Sequence, residues 1–219
     1  MAKIIVNNFV SLDGVIQSPG GPDEDTSNGF KWGGWVAPHW DDLMNETMGA
    51  SMQKPYDLLL GRRTYEIFAA HWPYRQNDPI AEKFNSIRKY AVSGKQVELN
   101  WKGSILITGD VAAQLQQLKS QPGPDLLVFG SGKLVQTLLA NNLVDILQVW
   151  TFPVTIGKGK RLFAEGTQPG NWKVTDSRVS TTGVVIASYE PAGEIKLAAI
   201  APEAPSEAEL ERRERHAVE

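Results

Sequence analysis

Residues 126–140 read LLVFGSGKLVQTLLA, and this stretch decides the fold class of the chain. Its first four residues, 126–129, are apolar and predict a buried strand, and the glycines that follow predict a tight turn. Apolar side chains then recur at helical spacing over residues 133–140. A buried strand that passes through a tight turn into a helix is the repeating unit of α/β proteins. The stretch therefore predicts parallel strands covered by helices.

The same alternation runs through the first two thirds of the chain, where apolar runs predict strands and amphipathic or capped segments predict helices. The predicted strands are residues 3–10, 56–60, 90–93 and 104–108, and the predicted helices are residues 38–53, 79–87, 111–119 and a helix that opens at Arg62. The last third differs, because residues 144–156, 172–179 and 184–189 are strand-like with no helix between them. We therefore expect antiparallel strands at one end of a mostly parallel sheet.

Composition restricts the function classes. The chain has 219 residues, a formal net charge of −3, no cysteine and three scattered histidines. These counts exclude disulfides and thiolate zinc sites, predict no metal cluster, and argue against a nucleic-acid or membrane partner. Neither a signal peptide nor an apolar run of membrane-spanning length is evident, so we expect a soluble cytoplasmic protein. We expect one domain over residues 1–191, followed by an Ala/Pro/Glu-rich tail over 192–219 that is either solvated or a short exposed helix.

Two predicted strand-to-helix turns carry the clearest functional signal. Residues 61–64 read GRRT and residues 130–133 read GSGK, so each turn combines glycine, a hydroxyl group and a cation at a helix N-terminus. Free backbone N–H groups at such a terminus bind anions, and two turns in one sheet can hold a phosphate-rich ligand such as a dinucleotide. Each turn alone is also consistent with a plain tight turn or a solvated helix start.

Standard nucleotide and hydrolase motifs are excluded by single residues. A P-loop needs glycine and Ser or Thr where Leu127 and Leu134 stand, and a Rossmann fingerprint needs glycine where Val135 stands. No G-x-S-x-G elbow occurs. The glycine-rich and aromatic segment 17–37 has the composition of a lid or binding loop. Candidate carboxylates are Asp13, which either meets a substrate or closes an Asx-turn, and Glu46 on the first predicted helix, which either supplies an acid or is solvated.

Five motifs in chain order resemble the riboflavin biosynthesis reductase (RibD C-terminal) domain, within the dihydrofolate reductase-like superfamily. They are SLDG at 11–14, GRRTYE at 61–66, FGSGKL at 129–134, LVD at 143–145 and PVTIGKGKRLF at 153–163. The resemblance covers residues 3–190. It implies a three-layer α/β fold with a mostly parallel central sheet and antiparallel C-terminal strands, and often a homodimer.

The resemblance also implies an NADPH-dependent reductase that transfers a hydride to a flat heterocycle or a ribosylamino-pyrimidine. In that setting the cofactor carries the chemistry and the protein positions it. The implied cofactor-binding residues are Ile16, Gly61, Arg62, Arg63, Thr64, Ser93, Phe129, Gly130, Ser131, Gly132, Lys133 and Leu134. The implied substrate-binding residues are Trp35, Trp72 and Thr151, and the implied catalytic residues are Asp13 and Glu46.

One position departs from the family pattern. Riboflavin reductases commonly carry a lysine four positions before the SLDG motif, and this chain has Asn7 there. The zinc deaminase half that often accompanies such reductases is absent, as a chain without cysteine requires. The alternative to a reductase is a non-catalytic module that keeps the same cleft and binds a dinucleotide, a flavin or an antifolate-like ligand.

Overall fold

The computed structural model of the protein describes residues 1–198, 200 and 204–217, and within them it contains eight strands and six α-helices. The strands are β1 (Ile4–Ser11), β2 (Tyr56–Gly61), β3 (Lys89–Val92), β4 (Ser104–Ile107), β5 (Asp125–Val128), β6 (Ile146–Phe152), β7 (Trp172–Val179) and β8 (Val185–Pro191). The helices are α1 (Asp42–Gln53), α2 (Arg62–His71), α3 (Pro79–Ser86), α4 (Val111–Ser120), α5 (Gly132–Ala140) and α6 (Glu207–His216).

All eight strands belong to one sheet, in the order β4-β3-β2-β5-β1-β6-β8-β7. The first six strands of that order pair in parallel, and β8 pairs antiparallel with both β6 and β7. The predicted mixture of parallel and antiparallel strands is therefore confirmed. The chain reverses direction in the short turn between β7 and β8, and β8 then lies between β6 and β7.

Helices cover both faces of the sheet, and alternate strand residues face alternate sides. Leu59 packs in a cluster with residues of α4 and α5, whereas its neighbours Leu58 and Leu60 pack with residues of α2 and α3. On that second side, Met44 of α1 packs over Trp150 of β6. Both faces of the central strands are thus buried, as the continuous apolar runs in the sequence predict.

The pairing of β5 with β1 is much shorter than the pairing of β6 with β1. The β5 register ends where Val6 is opposite Val128, but the β6 register continues until Ser11 is opposite Phe152. Beyond Val128 the chain turns away from the sheet toward α5. The middle of β1 is therefore open on its β5 side, and this opening positions the candidate site.

Two predicted boundaries need correction. The helix expected over 38–53 begins only at Asp42, because the Asp41 carboxylate caps it by accepting the N–H of Met44 at 3.2 Å. Ala37–His39 instead forms a separate 3-10 turn. The strand expected over 144–156 is limited to Ile146–Phe152.

In the tail, α6 is an exposed helix. No helix in the described part of the chain is long and apolar enough to cross a membrane.

Candidate functional site

A cavity of about 600 Å³ lies beside the middle of β1 and beyond the carboxyl ends of β2 and β5. Its lining consists of the middle of β1, the loop that follows β1, one side of α2 along its whole length with Trp72 just beyond it, the turn after β5, and Lys160. These residues are Asn7, Asn8, Phe9, Ile16–Asp25, Arg63, Thr64, Ile67, Phe68, His71, Trp72, Phe129–Gly132 and Lys160. In open parallel sheets, ligands bind at this end of the strands.

The two glycine-rich turns meet at the edge of the cavity. The N–H of Gly61 donates to the carbonyl of Gly130 at 3.1 Å, and Thr64 and Gly132, which belong to these turns, both line the cavity. Within the described residues, no side chain caps the N-terminus of α2 or of α5. By contrast, an Asp side chain caps each of α1, α3 and α4. The cavity thus receives two helix N-termini whose first N–H groups have no acceptor in their own helix.

The turn after β5 needs glycine at Gly130. Its φ of +132° is a conformation that side-chain-bearing residues rarely adopt, and a Cβ there would lie 3.0 Å from the Thr64 hydroxyl oxygen. The peptide bond between Gly130 and Ser131 is cis. At Gly132, a Cβ would lie 3.2 Å from the carbonyl oxygen of Arg161 and 3.4 Å from Ile16. The turn therefore has no side chain at positions 130 and 132, where its backbone lines the cavity.

The two arginines of the first turn have different surroundings. Arg63 lines the cavity, and its Nη1 donates to the Ser27 hydroxyl at 3.0 Å. Arg62 lies outside the lining and pairs with Glu66 at 2.7 Å, one helical turn along α2. Lys133 is exposed at the start of α5. Of these three cations, Arg63 is the one positioned beside the cavity.

The loop of residues 17–25 covers the cavity and is held by several polar contacts. Gln17 donates to the carbonyls of Asp25 and Ser27 at 3.0 Å, and the Ser18 hydroxyl donates to the carbonyl of Gly21 at 2.9 Å. The Lys160 ammonium group pairs with the Asp25 carboxylate. These contacts hold the covering loop, nine consecutive residues, in the lining of the cavity.

Glu24 is a cavity-lining carboxyl group that the sequence analysis did not select. Its side chain accepts the N–H of Gly20 at 2.7 Å. Burial raises the pKa of the Glu24 carboxyl above its ordinary value, because the charged form is poorly solvated there. A perturbed carboxyl group in a cleft is a candidate for proton transfer. The available signal was an acidic run, Asp23 to Asp25, inside the glycine- and proline-rich loop.

The floor of the cavity carries polar groups among apolar ones. Asn7 is 1% exposed and Asn8 is 5% exposed. Both polar atoms of the Asn7 side chain, and the Nδ2 of Asn8, lack a hydrogen-bond partner among the described residues. Phe68 and Trp72 form an aromatic wall, with ring centroids 6.0 Å apart. An apolar cavity with a few convergent polar groups is typical of small-molecule sites.

The structure brings together eight of the residues selected from the sequence. Those that line the cavity are Ile16, Arg63, Thr64, Trp72, Phe129, Gly130, Ser131 and Gly132. Gly61 and Leu134 are outside the lining: Gly61 contacts Ser131, and Leu134 is buried in the core. Ser93 lies outside the lining at the end of β3, where its hydroxyl donates to the Lys95 carbonyl at 2.8 Å. Thr151 is also outside the lining, opposite Val10 in the sheet.

Asp13 lies outside the cavity and has several partners. Its Oδ1 accepts from the Ser11 hydroxyl at 2.6 Å and from the N–H of Ile156 at 3.0 Å, and its Oδ2 accepts from the N–H of Gly157 at 2.7 Å. The Ser11 hydroxyl and these two N–H groups lower the pKa of Asp13 to about 2. The carboxylate therefore fastens the chain after β6 to the turn after β1.

Glu46 and Trp35 are likewise outside the lining. Glu46 is on the exposed face of α1, where its carboxylate accepts from Arg178 of β7 at 3.3 Å. Trp35 is buried beside α1, and its indole N–H donates to the Gln17 carbonyl at 2.9 Å, so it supports the covering loop from below. In the described part of the chain, no group of three or more His, Asp and Glu side chains is arranged to hold a metal ion.

Comparison with known proteins identifies a family and a shared fold. A family model of the RibD C-terminal domain matches residues 2–186. The uncharacterized protein YyaP of Bacillus subtilis (strain 168) is 28% identical over 194 residues, which cover 85% of this chain and 94% of that protein.

Three solved structures share the fold at low identity. A putative riboflavin biosynthesis protein from Shewanella sp. PV-4 superposes with a TM-score of 0.63 at 21% identity, over 88% of this chain and 99% of that one. A pyrimidine reductase-like protein from Corynebacterium diphtheriae gives 0.58 at 10% identity, over 88% and 93%. Dihydrofolate reductase from Enterococcus faecalis, complexed with NADP(H), gives 0.55 at 13% identity, over 86% and 96%. The expected dihydrofolate reductase-like α/β fold is confirmed.

Proposed function

The chain belongs to the RibD C-terminal domain family, and from this premise we propose that it is an NADPH-dependent reductase that transfers a hydride to a flat nitrogen heterocycle. One observation carries the proposal: two helix N-termini without side-chain caps meet at a single cavity that the aromatic side chains of Phe68 and Trp72 also line. The first feature suits the phosphates of a dinucleotide, and the second suits a planar ring.

The residues around the two turns fit a dinucleotide. The bare backbone at Gly130 and Gly132 permits a close approach of a pyrophosphate group to the N-terminus of α5. Thr64 would add a hydroxyl donor from α2. Arg63 would pair with the additional phosphate that distinguishes NADPH from NADH, because a guanidinium group binds phosphate with charge-assisted hydrogen bonds. Ile16 would contact the nicotinamide end.

When bound, the cofactor supplies the hydride, and the chain's own residues must position the acceptor and deliver the proton. Phe68 and Trp72 line the cavity with their rings at 76° to each other, so a flat heterocycle would stack on one ring and meet the other at its edge. For a C=N acceptor, the hydride adds to carbon and a proton adds to nitrogen. Glu24 is the proposed proton donor, since its raised pKa keeps it protonated at higher pH than an ordinary glutamic acid.

The covering loop of residues 17–25 has a role in this proposal. It carries Glu24, and its ties through Gln17 and Lys160 hold it over the cavity. A covered site excludes water, which strengthens the electrostatic contacts inside and protects the reacting groups. Arg63 contacts Ser27, just beyond this loop, and it therefore links the proposed phosphate site to the cover.

The test is a binding titration followed by a turnover assay. Intrinsic tryptophan fluorescence and calorimetry are measured with NADPH and, separately, with NADH. We expect micromolar binding of NADPH and weaker binding of NADH, followed by NADPH oxidation with a member of a panel of flat nitrogen heterocycles. Absence of binding of both cofactors by calorimetry contradicts the proposal. Tight binding without oxidation across the panel favours the non-catalytic module.

Two further expectations accompany this function. The family resemblance implies a homodimer, and the sequence predicts a cytoplasmic location; both stay predictions. The oligomeric state is measured by sedimentation of the full chain, since a dimer of this 24.1 kDa protein doubles the mass. The proposed boundary of the domain at residue 191 is tested by truncation there, which we expect to leave cofactor binding intact.

A further inference from the structure

We propose that the side-chain amide of Asn7 determines substrate specificity by pairing with the lactam edge of an uncharged heterocycle, in which a ring N–H adjoins a C=O. This inference rests on the proposed function because it assigns the substrate class to the same cavity. Four observations carry it: the burial of Asn7, its unpaired atoms, its position in the sheet and the charges around it.

Burial of the Asn7 side chain without a hydrogen-bond partner has a free-energy cost. It is 1% exposed, and within the described residues neither its Oδ1 nor its Nδ2 has a hydrogen-bond partner. Buried polar side chains are nearly always paired, because an unpaired one loses its hydration without compensation. An unpaired buried amide in the lining of a cavity is therefore explained by a ligand that pairs with it.

The sheet explains why Asn7 faces this cavity. Pairing of β1 with β5 ends at Val6, immediately before Asn7. On the other side, Gln148 is the register neighbour of Asn7, but its amide donates to the Ser188 hydroxyl at 3.3 Å. Strand alternation puts Asn7 on the same face as Phe9, toward α2 and its aromatic wall. The amide thus lies where a ring stacked on that wall presents its edge.

An amide selects a particular partner. It offers an acceptor oxygen beside an N–H donor, and a lactam offers the complementary donor and acceptor at the same spacing, so two hydrogen bonds form together. A phosphate or carboxylate offers acceptors only and leaves the amide oxygen unpaired. Of the cations in the lining, Lys160 pairs with Asp25, and Arg63 is assigned above to the cofactor phosphate. No further lysine or arginine among the residues that line this cavity is left to pair with an anionic substrate.

The experiment uses the full-length protein and two flat probes. Lumazine is a pteridinedione with ring N–H groups, and dimethyllumazine carries methyl groups in place of those hydrogens. Binding of each probe is measured by calorimetry with and without saturating NADPH, in the wild type and in Asn7→Leu. Leucine has a similar volume but no hydrogen-bonding atom. Asn100→Leu is the control, because Asn100 is exposed and outside the cavity lining.

We expect the wild type to bind lumazine at least about tenfold more tightly than dimethyllumazine. In Asn7→Leu, lumazine affinity should fall at least about tenfold, while dimethyllumazine affinity changes less than about threefold. The melting temperature of Asn7→Leu should equal or exceed that of the wild type, since an unpaired buried amide is removed. A merely structural amide would instead lower it. Asn100→Leu should retain the wild-type preference.

Three results would overturn the inference: no lumazine binding to the wild type, no preference over dimethyllumazine, or a preference that persists in Asn7→Leu. Failure of the reductase proposal has a different signature. In that case NADPH does not bind, while the titrations without NADPH still decide whether Asn7 pairs with the lactam. The failure of one proposal is therefore distinguishable from the failure of the other.

Discussion

A Cβ atom on Gly61 would lie 2.2 Å from the hydroxyl oxygen of Ser131, so the turns that end β2 and β5 are in direct contact. The φ of Gly61 is −66°, which any residue can adopt, and the position therefore requires glycine for space alone. Because α2 and α5 begin at these two turns, the contact sets the distance between their N-termini. The distance between the proposed phosphate sites thus depends on the absence of a side chain at Gly61.

Gly61→Ala should force the two turns apart. We expect the free energy of unfolding to fall by about 1 to 3 kcal/mol, as for other overpacked sites. NADPH affinity should fall by about tenfold, because the two helix N-termini no longer converge. Chemical unfolding and calorimetry measure the two effects.

The matched control for Gly61→Ala is Gly49→Ala. Gly49 lies within α1, and a Cβ there meets no atom within 4 Å. That variant should gain about 0.5 to 1 kcal/mol of stability and bind NADPH unchanged. If Gly61→Ala binds NADPH as the wild type does, the contact between the turns does not set the cofactor site.

The two turns show what the sequence could and could not predict. Glycine, hydroxyl and cation at 61–64 and 130–133 predicted two helix N-termini. Their contact depends on β5 inserting beside β2, which is a pairing of strands more than sixty residues apart. The local sequence pattern does not indicate which distant strands lie next to each other in the sheet. For the same reason, the sequence predicted Arg62 and Arg63 as equivalent, whereas in the structure Arg63 lines the cavity and Arg62 does not.

Arg63→Ala should weaken NADPH binding by about 1.5 kcal/mol, or about tenfold, because one charge-assisted contact to phosphate is lost. NADH binding should change little. Arg62→Ala is the matched control: it removes the same charge one residue away, but outside the cavity lining, and should leave both affinities close to the wild type. An equal loss of NADPH and NADH affinity in Arg63→Ala would contradict the assignment of Arg63 to the additional phosphate.

Glu24 shows a second limit of sequence reasoning. The segment 17–37 was predicted to be a lid or binding loop, but burial of one carboxyl group depends on how the loop folds over the sheet. The sequence instead selected Glu46, because it lies on a recognisable helix. The structure places Glu46 at the surface beside Arg178, and it brings Glu24 to the cavity. Loop residues without periodicity give no pattern from which burial can be predicted.

Glu24→Gln should lower turnover by about 100-fold with the first heterocycle that supports NADPH oxidation, because the proton donor is lost. In the wild type, turnover should fall as pH rises through the raised pKa of Glu24, since only the protonated form donates. In Glu24→Gln this pH dependence should disappear. Glu46→Gln is the control and should retain wild-type turnover. The reverse pattern, with Glu46→Gln inactive and Glu24→Gln active, would restore the sequence-based assignment.

Asp13→Ala should lower stability. The native pKa of Asp13, about 2, is below its ordinary value of 3.8. A lowered pKa means that the ionised carboxylate stabilises the fold above its unfolded-state pKa, and this contribution is lost as pH falls through the native value. At neutral pH we expect Asp13→Ala to lose about 1 to 2 kcal/mol, because the N–H groups of Ile156 and Gly157 lose their acceptor. Urea unfolding at a series of pH values should show the deficit shrinking as the pH falls from 3.8 to about 2. Unchanged stability together with lost turnover would instead assign Asp13 to the reaction.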